Sequence, residues 1–213
     1  YLQWTKLNGF GVTQEPILRS MSANFLRMDA ILDESDPAAP REPAWPDVDY
    51  IVGNPPFLGG KLLRSQLGDE YVDQIFAVWS GRVPREADLC CYWFEKARKH
   101  IEDGRCRRAG LLATQGIRGG ANREVLKRIK ESGDIFFAES DRPWILDGAN
   151  VHVSMAGFDS GEETTRILDG KSVATINANL TSQADTSAAH SLAENAKIAF
   201  MGTTKQGAFD IGH

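Results

Sequence analysis

Residues 49–57 read Asp49-Tyr50-Ile51-Val52-Gly53-Asn54-Pro55-Pro56-Phe57, an apolar run that predicts a buried strand and is ended by Asn-Pro-Pro-aromatic. Proline has a fixed φ angle and no N–H, so two consecutive prolines cannot continue a sheet ladder. A proline also pushes the residue before it toward an extended conformation. We therefore expect the Asn54 side chain and the Pro-Pro carbonyls to point beyond the carboxyl end of the strand, where open α/β sheets bind ligands. An ordinary turn after a strand is the alternative.

The Asn-Pro-Pro-Phe segment carries groups that suit a planar ligand with an NH2 group. An exocyclic amine on an aromatic ring is a poor nucleophile, because its lone pair is delocalised into the ring. If the side-chain oxygen of Asn54 and the carbonyl of Pro55 accept both N–H bonds, the nitrogen becomes more tetrahedral and its lone pair is freed. Phe57 would hold the ring by stacking, which contributes about 1–3 kcal/mol per base. Catalysis would rest mainly on positioning, since the proton can leave after the new bond has formed.

Composition is that of one globular domain, with or without an appendage: 213 residues, 42% hydrophobic and 25% charged. The net charge of -5 argues against a protein that grips nucleic acid over its whole surface, so any such contact must be local. No run of eighteen apolar residues occurs, and we expect no membrane contact. The three cysteines and four histidines lack ligand spacing, which predicts buried thiols, a cytoplasmic location and no metal site. Because Tyr1 rather than Met stands first, we expect a piece of a longer protein.

Hydrophobic periodicity predicts an α/β fold with a mostly parallel sheet and an antiparallel closing edge. The predicted strands cover residues 24–32, ending near Asp29, then 49–53, 109–114, 135–138 and 151–158. The predicted helices cover residues 69–79, 88 to 100 or 101 with Asp88 as N-cap, and 122–132 with Asn122 as N-cap and Gly133 as stop. Asp169-Gly170 predicts a peripheral β-hairpin within residues 165–176. Residues 181–195 are interpreted as a linker or weak helix, and Gly9-Phe10-Gly11 as a plain turn.

The Asn-Pro-Pro-Phe motif is similar to the catalytic motif of amino-methylating DNA methyltransferases. The flanking sequence matches further. The matching segments are Gly53-Asn54-Pro55-Pro56-Phe57-Leu58-Gly59-Gly60-Lys61, Gly81-Arg82-Val83-Pro84, Ala87-Asp88-Leu89, Tyr92-Trp93-Phe94-Glu95-Lys96-Ala97, Ile117-Arg118-Gly119-Gly120-Ala121-Asn122-Arg123 and Val153-Ser154-Met155. Together they resemble the methyltransferase segment of MmeI-like type IIG restriction-modification enzymes, over about residues 16–211.

This resemblance implies a partial Rossmann-like, class I methyltransferase fold with S-adenosylmethionine as cofactor. It implies N6-methylation of an adenine that is flipped out of double-stranded DNA, because the paired amine is otherwise unreachable. The other implied partners are the remaining domains of the same polypeptide: the cofactor-loop half, the endonuclease and target recognition. The choice of adenine over cytosine rests on the resemblance alone.

The resemblance also implies roles for single residues. Asn54, Pro55, Pro56 and Phe57 form the catalytic motif, with Asn54, Pro55 and Phe57 at the flipped base. The other implied site residues are Asp29 at the cofactor's adenine amino group, Trp144 on the second face of the base in the loop before the closing strand, and Arg118, Asn122 and Arg123 at DNA phosphates. The alternatives are a solvated strand end at residue 29, a core tryptophan at 144, and helix capping with a solvated arginine face at 118–123.

The chain departs from the family pattern at its start. The family's glycine-rich cofactor loop and ribose-binding carboxylate lie upstream of the motif, and residues 1–53 leave no room for them. We therefore expect residues 1–160 to be the C-terminal half of the catalytic domain, 161–180 a hairpin, and 181–213 a linker and the start of a target-recognition region. Two other functions stay open: methylation of a glutamine side-chain amide in a protein, and a catalytically silent fragment that acts as an interaction module.

Overall fold

The computed structural model describes residues 25–36, 38–146 and 149–183, and within these ranges the chain forms a six-stranded sheet. The strands lie in the order β1-β2-β4-β3-β5-β6. Their bounds are Val48–Gly53 (β1), Cys106–Thr114 (β2), Asp134–Leu146 (β3), Ala149–Asp159 (β4), Arg166–Leu168 (β5) and Lys171–Val173 (β6).

Four of these six described strands run in one direction. β1 is parallel to β2, and β4 is antiparallel to both β2 and β3, so β1, β2 and β3 share a direction. β5 is parallel to β3, and β6 returns antiparallel at the sheet edge after a turn at Asp169 and Gly170, whose φ angles are 50° and 74°. The predicted α/β class, the mostly parallel sheet, the antiparallel edge and the peripheral hairpin are confirmed.

Two helices cover one face of the sheet. The described helices are Leu63–Leu67 (α1), Asp69–Val78 (α2), Cys90–Glu102 (α3) and Arg123–Ser132 (α4). α3 and α4 pack on each other and bury the apolar stripes that predicted them. Phe94 of α3 stacks on Phe158 of β4, with ring centroids 6.1 Å apart. The three long helices were predicted within about two residues of their observed bounds, the usual uncertainty of helix ends.

The other face of the sheet is open at β1, which corrects the prediction that residues 49–53 form a buried strand. Tyr50 and Val52 are 60% and 84% exposed. β1 lies at the edge of the sheet, and the described helices α3 and α4 pack on the opposite face. Apolar side chains of Leu112, Phe136 and Met155 continue this open face across the sheet.

The strand predicted at residues 24–32 is wrong, because described residues 25–32 form an irregular segment with bends instead. Ile31 and Leu32 are nevertheless buried, and their segment is held by side chains. The indole N–H of Trp79 donates to the Ile31 carbonyl at 2.9 Å, and that of Trp45 donates to the Ala30 carbonyl at 3.0 Å. These bonds replace the ladder that a strand would need for its backbone groups.

The β3–β4 hairpin is longer than predicted. Residues 142–146 of β3 continue to pair with residues 149–153 of β4, past the carboxyl end of β2 at Thr114. The segment that contains Trp144 is therefore a strand rather than the predicted loop. The pairing is irregular between Glu139 and Arg142, where the register shifts.

A buried ion cluster joins the helices behind the sheet. The Glu95 carboxylate is fully buried and accepts two hydrogen bonds from Arg98, at 2.9 Å each, and two from Arg128, at 3.0 and 3.2 Å. Arg82 donates a longer hydrogen bond to the Glu95 carboxylate, at 3.3 Å.

Cys90, Cys91 and Cys106 are buried free thiols, as predicted.

Several predictions fall outside the described residues. These are the turn at Gly9-Phe10-Gly11, most of the 181–195 linker and the region after residue 198. The predicted domain boundaries are not tested by the fold and stay predictions. In the described part of the chain, no helix combines the length and the apolar character needed to cross a membrane.

Candidate active site

The Asn-Pro-Pro-Phe segment follows β1 at the carboxyl edge of the sheet. Gly53, the last residue of β1, pairs with Leu111 of the parallel strand β2. Asn54 is exposed, and no described residue forms a hydrogen bond with its carboxamide or with the Pro55 carbonyl. The Pro55 ring is buried and anchors the segment, while the Phe57 side chain is 39% exposed. The Asn54 carboxamide and the aromatic face of Phe57 are thus accessible from solvent, as the base-binding role predicted for them requires, whereas Pro55 is buried.

The segment after Phe57 is fixed against the start of α3. The Leu58 carbonyl accepts a hydrogen bond from the Leu89 N–H at 2.8 Å, and the Gly60 N–H donates to Asp88 Oδ1 at 2.9 Å. Residue 60 has to be glycine, because a Cβ there would lie 2.2 Å from the carbonyl oxygen of Glu86. Asp88 was predicted as the N-cap of α3; this is wrong, since its carboxylate bonds to Gly60 and Asn122 instead.

Asn122 bridges two loops. Its Oδ1 accepts from the Asp88 N–H at 2.7 Å, and its Nδ2 donates to Asp88 Oδ2 at 2.8 Å and to the Gly116 carbonyl at 3.3 Å. Asn122 is the N-cap residue of α4, as predicted, but its side chain makes no cap bond to that helix. The phosphate contact proposed for Asn122 stays a prediction, although its amide is already engaged within the protein.

Arg118 and Arg123 line an open cleft of about 820 Å³ beyond the carboxyl end of β2. The Arg118 Nε donates to the Asn179 carbonyl at 3.2 Å, which orients the guanidinium across the cleft. The Nε of Arg123 is buried and has no partner among the described residues. Gln115 and His152 complete this polar surface, where a phosphate backbone could be held.

Trp144 lies on the part of the β3–β4 hairpin that extends past the carboxyl edge of β2. It pairs with Val151 in the hairpin, and its side chain is 39% exposed. The alternative of a core tryptophan is therefore wrong. Its contact with the second face of a base stays a prediction.

Asp29 is exposed and held in one orientation by its neighbours. Its Oδ1 accepts from the N–H groups of Ile31 and Leu32 at 2.8 and 2.9 Å, and its Oδ2 accepts from the Tyr71 hydroxyl at 2.6 Å. Burial, followed by the bond to Asp29, raises the pKa of the Tyr71 phenol, so this group stays a hydrogen-bond donor at neutral pH. The role of Asp29 toward a cofactor stays a prediction.

Sequence reasoning missed Tyr71 and the bridging role of Asp88. Tyr71 lies 42 positions from Asp29, and no spacing rule connects them. Asp88 was predicted as a helix N-cap and matched the family within Ala87-Asp88-Leu89, but neither signal indicated a bridge between loops. Among the described residues, no group of histidine, cysteine and carboxylate side chains is arranged to hold a metal ion.

Comparison with known protein families gives a match over most of the chain. The family model described as "MmeI, DNA-methyltransferase domain" matches residues 19–169. No curated protein sequence gives a significant match.

Two restriction-modification enzymes are among the solved structures that match this chain. One is the Type IIL restriction-modification enzyme MmeI in complex with DNA, at 23% identity and a TM-score of 0.52 over 64% of this chain. The other is a type I restriction-modification system, at 21% identity and a TM-score of 0.39 over 54% of this chain and 22% of that one. The chain spans about a fifth of the length of the MmeI structure, since it covers 20% of it. The likeness to MmeI confirms the Rossmann-like fold.

Proposed function

The chain belongs to the family of MmeI DNA-methyltransferase domains, and from this premise we propose that it is the substrate half of an enzyme that methylates the N6 amine of adenine in DNA. The observation that carries the proposal is the exposed Asn54 carboxamide, which lacks a partner among the described residues and lies beside the half-exposed Phe57 at the carboxyl end of β1. The complete enzyme would be a cytoplasmic bacterial restriction-modification protein. Its other domains would supply the rest of the cofactor pocket, target recognition and the endonuclease.

The residues act mainly by positioning. The Asn54 oxygen and the Pro55 carbonyl accept the two N–H bonds of the base amine, which concentrates its lone pair toward the methyl donor. Phe57 stacks on one face of the base and Trp144 on the other, while Arg118 and Arg123 hold nearby phosphates. The base must leave the duplex to reach these groups.

S-adenosylmethionine is the proposed donor, and when bound it supplies an electrophilic methyl group. Of the described residues, Asp29 is the one that fits it, because an exposed, fixed carboxylate is a suitable acceptor for the cofactor's adenine amino group. No general base is needed before transfer, since the amine loses its proton afterwards.

The test of the proposed function is methyl transfer by the full-length protein, with S-adenosylmethionine labelled in the methyl group and with DNA and total protein as acceptors. We expect label in DNA, recovered as N6-methyladenine after digestion to nucleosides. Label in N4-methylcytosine would correct the base. Label in glutamine of a protein would favour the side-chain amide alternative, and no transfer to either would favour a silent module.

Tyr71→Phe tests the role given to Asp29. The variant removes the hydroxyl that holds Asp29 Oδ2, at a cost of about 1 kcal/mol for one hydrogen bond, or about fivefold. We expect the KM for S-adenosylmethionine to rise by that factor, while kcat and the KM for DNA stay unchanged. Tyr50→Phe is the matched control, because Tyr50 is exposed on β1 and its hydroxyl is not the one that bonds to Asp29. An unchanged KM for the donor in Tyr71→Phe would argue against cofactor contact at Asp29.

Trp144→Ala tests stacking on the second face of the base. Loss of one stacking contact is expected to lower kcat/KM for DNA by about 10- to 100-fold, and Trp144→Phe should retain most of the value. Steady-state kinetics on a duplex that contains the recognition site gives the measurement. Full kcat/KM in Trp144→Ala would mean that the hairpin does not reach the base.

A further inference from the structure

One carboxylate, Asp88, connects the segment behind the Asn-Pro-Pro-Phe motif to the loop that carries Arg118. Its Oδ1 accepts from the Gly60 N–H at 2.9 Å, and its Oδ2 accepts from Asn122 Nδ2 at 2.8 Å. Its backbone N–H donates to Asn122 Oδ1 at 2.7 Å. Asp88 and Asn122 therefore form a reciprocal pair, and Gly60 is attached to it through the second carboxylate oxygen.

The packing around this pair leaves little freedom. The Gly60 backbone lies so close to the Glu86 carbonyl that even a Cβ would collide with it. The Asn122 oxygen faces the Asp88 N–H and the Cys91 thiol at 3.5 Å, while its nitrogen faces Asp88 Oδ2 and the Gly116 carbonyl. Donors and acceptors thus match in one orientation of the carboxamide.

We propose that Asp88 is a positioning residue that holds the Asn54–Phe57 segment and the Gln115–Asn122 loop in one fixed arrangement at the carboxyl edge of the sheet. The proposal rests on the proposed function. The Asn54 side chain has no hydrogen bond to a described residue, so its place depends on the anchors before and after it in the chain. Those anchors are the end of β1, the buried Pro55 ring, and the bonds at Leu58 and Gly60. A displacement of about 1 Å in such a site costs about 10²-fold in rate.

The chemistry of the two side chains makes the proposal testable by exchange. An ionised aspartate offers acceptors on both oxygens, whereas asparagine offers one acceptor and one donor. In Asp88→Asn, either the Gly60 N–H or the Asn122 NH2 must face another donor. In Asn122→Asp, two carboxylates face each other. In the double variant Asp88→Asn/Asn122→Asp, the amide oxygen can accept from Gly60 and the amide nitrogen can donate to the new carboxylate, so that only the bond to the Gly116 carbonyl is lost.

The experiment uses the full-length protein and two measurements. The first is kcat with the KM for DNA and for S-adenosylmethionine; the second is hydrogen exchange at the Gly60 amide. Each single variant is expected to lower kcat by between about 10- and 100-fold with little change in the KM for S-adenosylmethionine, and to speed exchange at Gly60. The double variant should recover most of the rate and the protection. Glu86→Gln is the control, since it removes one exposed carboxylate two positions away.

Full kcat in Asp88→Asn would overturn the proposal, as would a double variant no faster than the single ones. Equal exchange at Gly60 in the unchanged protein and in Asp88→Asn would also overturn it. If the unchanged protein transfers no methyl group, the proposed function fails, while the exchange at Gly60 in the single and double variants still decides whether Asp88 holds this segment.

Discussion

Asn54→Ala in the full-length protein is expected to lower the rate of methyl transfer by about 10²- to 10³-fold, the range for loss of one preorganised polar group in an active site. The variant removes the acceptor that orients the base amine, and no described residue could replace it. Binding of DNA should stay nearly unchanged, because the phosphate contacts that we propose lie elsewhere, in the cleft lined by Arg118 and Arg123. Single-turnover transfer of labelled methyl groups measures the first effect, and a binding titration measures the second.

Asn54→Asp is the matched variant. Aspartate keeps an acceptor oxygen in the same place, so part of the activity should remain, whereas alanine leaves none. Because residue 54 is exposed, we expect neither substitution to disturb folding. Hydrogen exchange in β1 of both variants checks this. Near-normal turnover in Asn54→Ala would contradict the mechanism at its central step.

Glu95→Ala is expected to have the largest effect on stability, a loss of about 3–5 kcal/mol, because it leaves the buried Arg98 guanidinium and the partly buried Arg128 guanidinium without their common partner. The carboxylate is fully buried between Arg98 and Arg128. Native-state hydrogen exchange in α3 of the full-length protein reports the free energy of opening this part of the chain. Glu102→Ala is the control, since it removes a carboxylate of the same helix that is 43% exposed and should have much less effect.

The contribution of Glu95 to the free energy of unfolding should depend on pH. Burial acts to raise the pKa of its carboxyl, but the hydrogen bonds and charges of Arg98 and Arg128 outweigh burial and leave the pKa below its ordinary value of 4.5. A carboxyl whose pKa is lowered by folding contributes stability above its unfolded pKa, and this contribution is lost as the pH falls through the folded value. The difference in stability between the unchanged protein and Glu95→Gln should therefore be full at pH 7 and shrink below about pH 4.5. A difference that does not change with pH would contradict this assignment.

Helices were predicted well because their signal is local. The apolar residues Val125, Leu126 and Ile129 recur at helical spacing within α4, and all three are buried as expected. Strands were predicted less well, because a strand exists only with a partner. Residues 25–32 are apolar enough for a strand but form an irregular segment with bends. Trp144 lies in β3 because residues 149–153 of β4 pair with residues 142–146.

In the candidate site, too, some features follow from the local sequence and others depend on long-range packing. Two prolines end β1 wherever it lies in the fold, so the chain's own geometry suffices to bring Asn54 and Phe57 out beyond the strand. The partners of Asp29 and Asp88 follow from no such rule. Tyr71 is 42 positions from Asp29, and Gly60 and Asn122 are 28 and 34 positions from Asp88. Backbone stereochemistry and side-chain periodicity act over a few residues and can be read along the chain, whereas these hydrogen bonds arise only when helices and loops distant in sequence pack together.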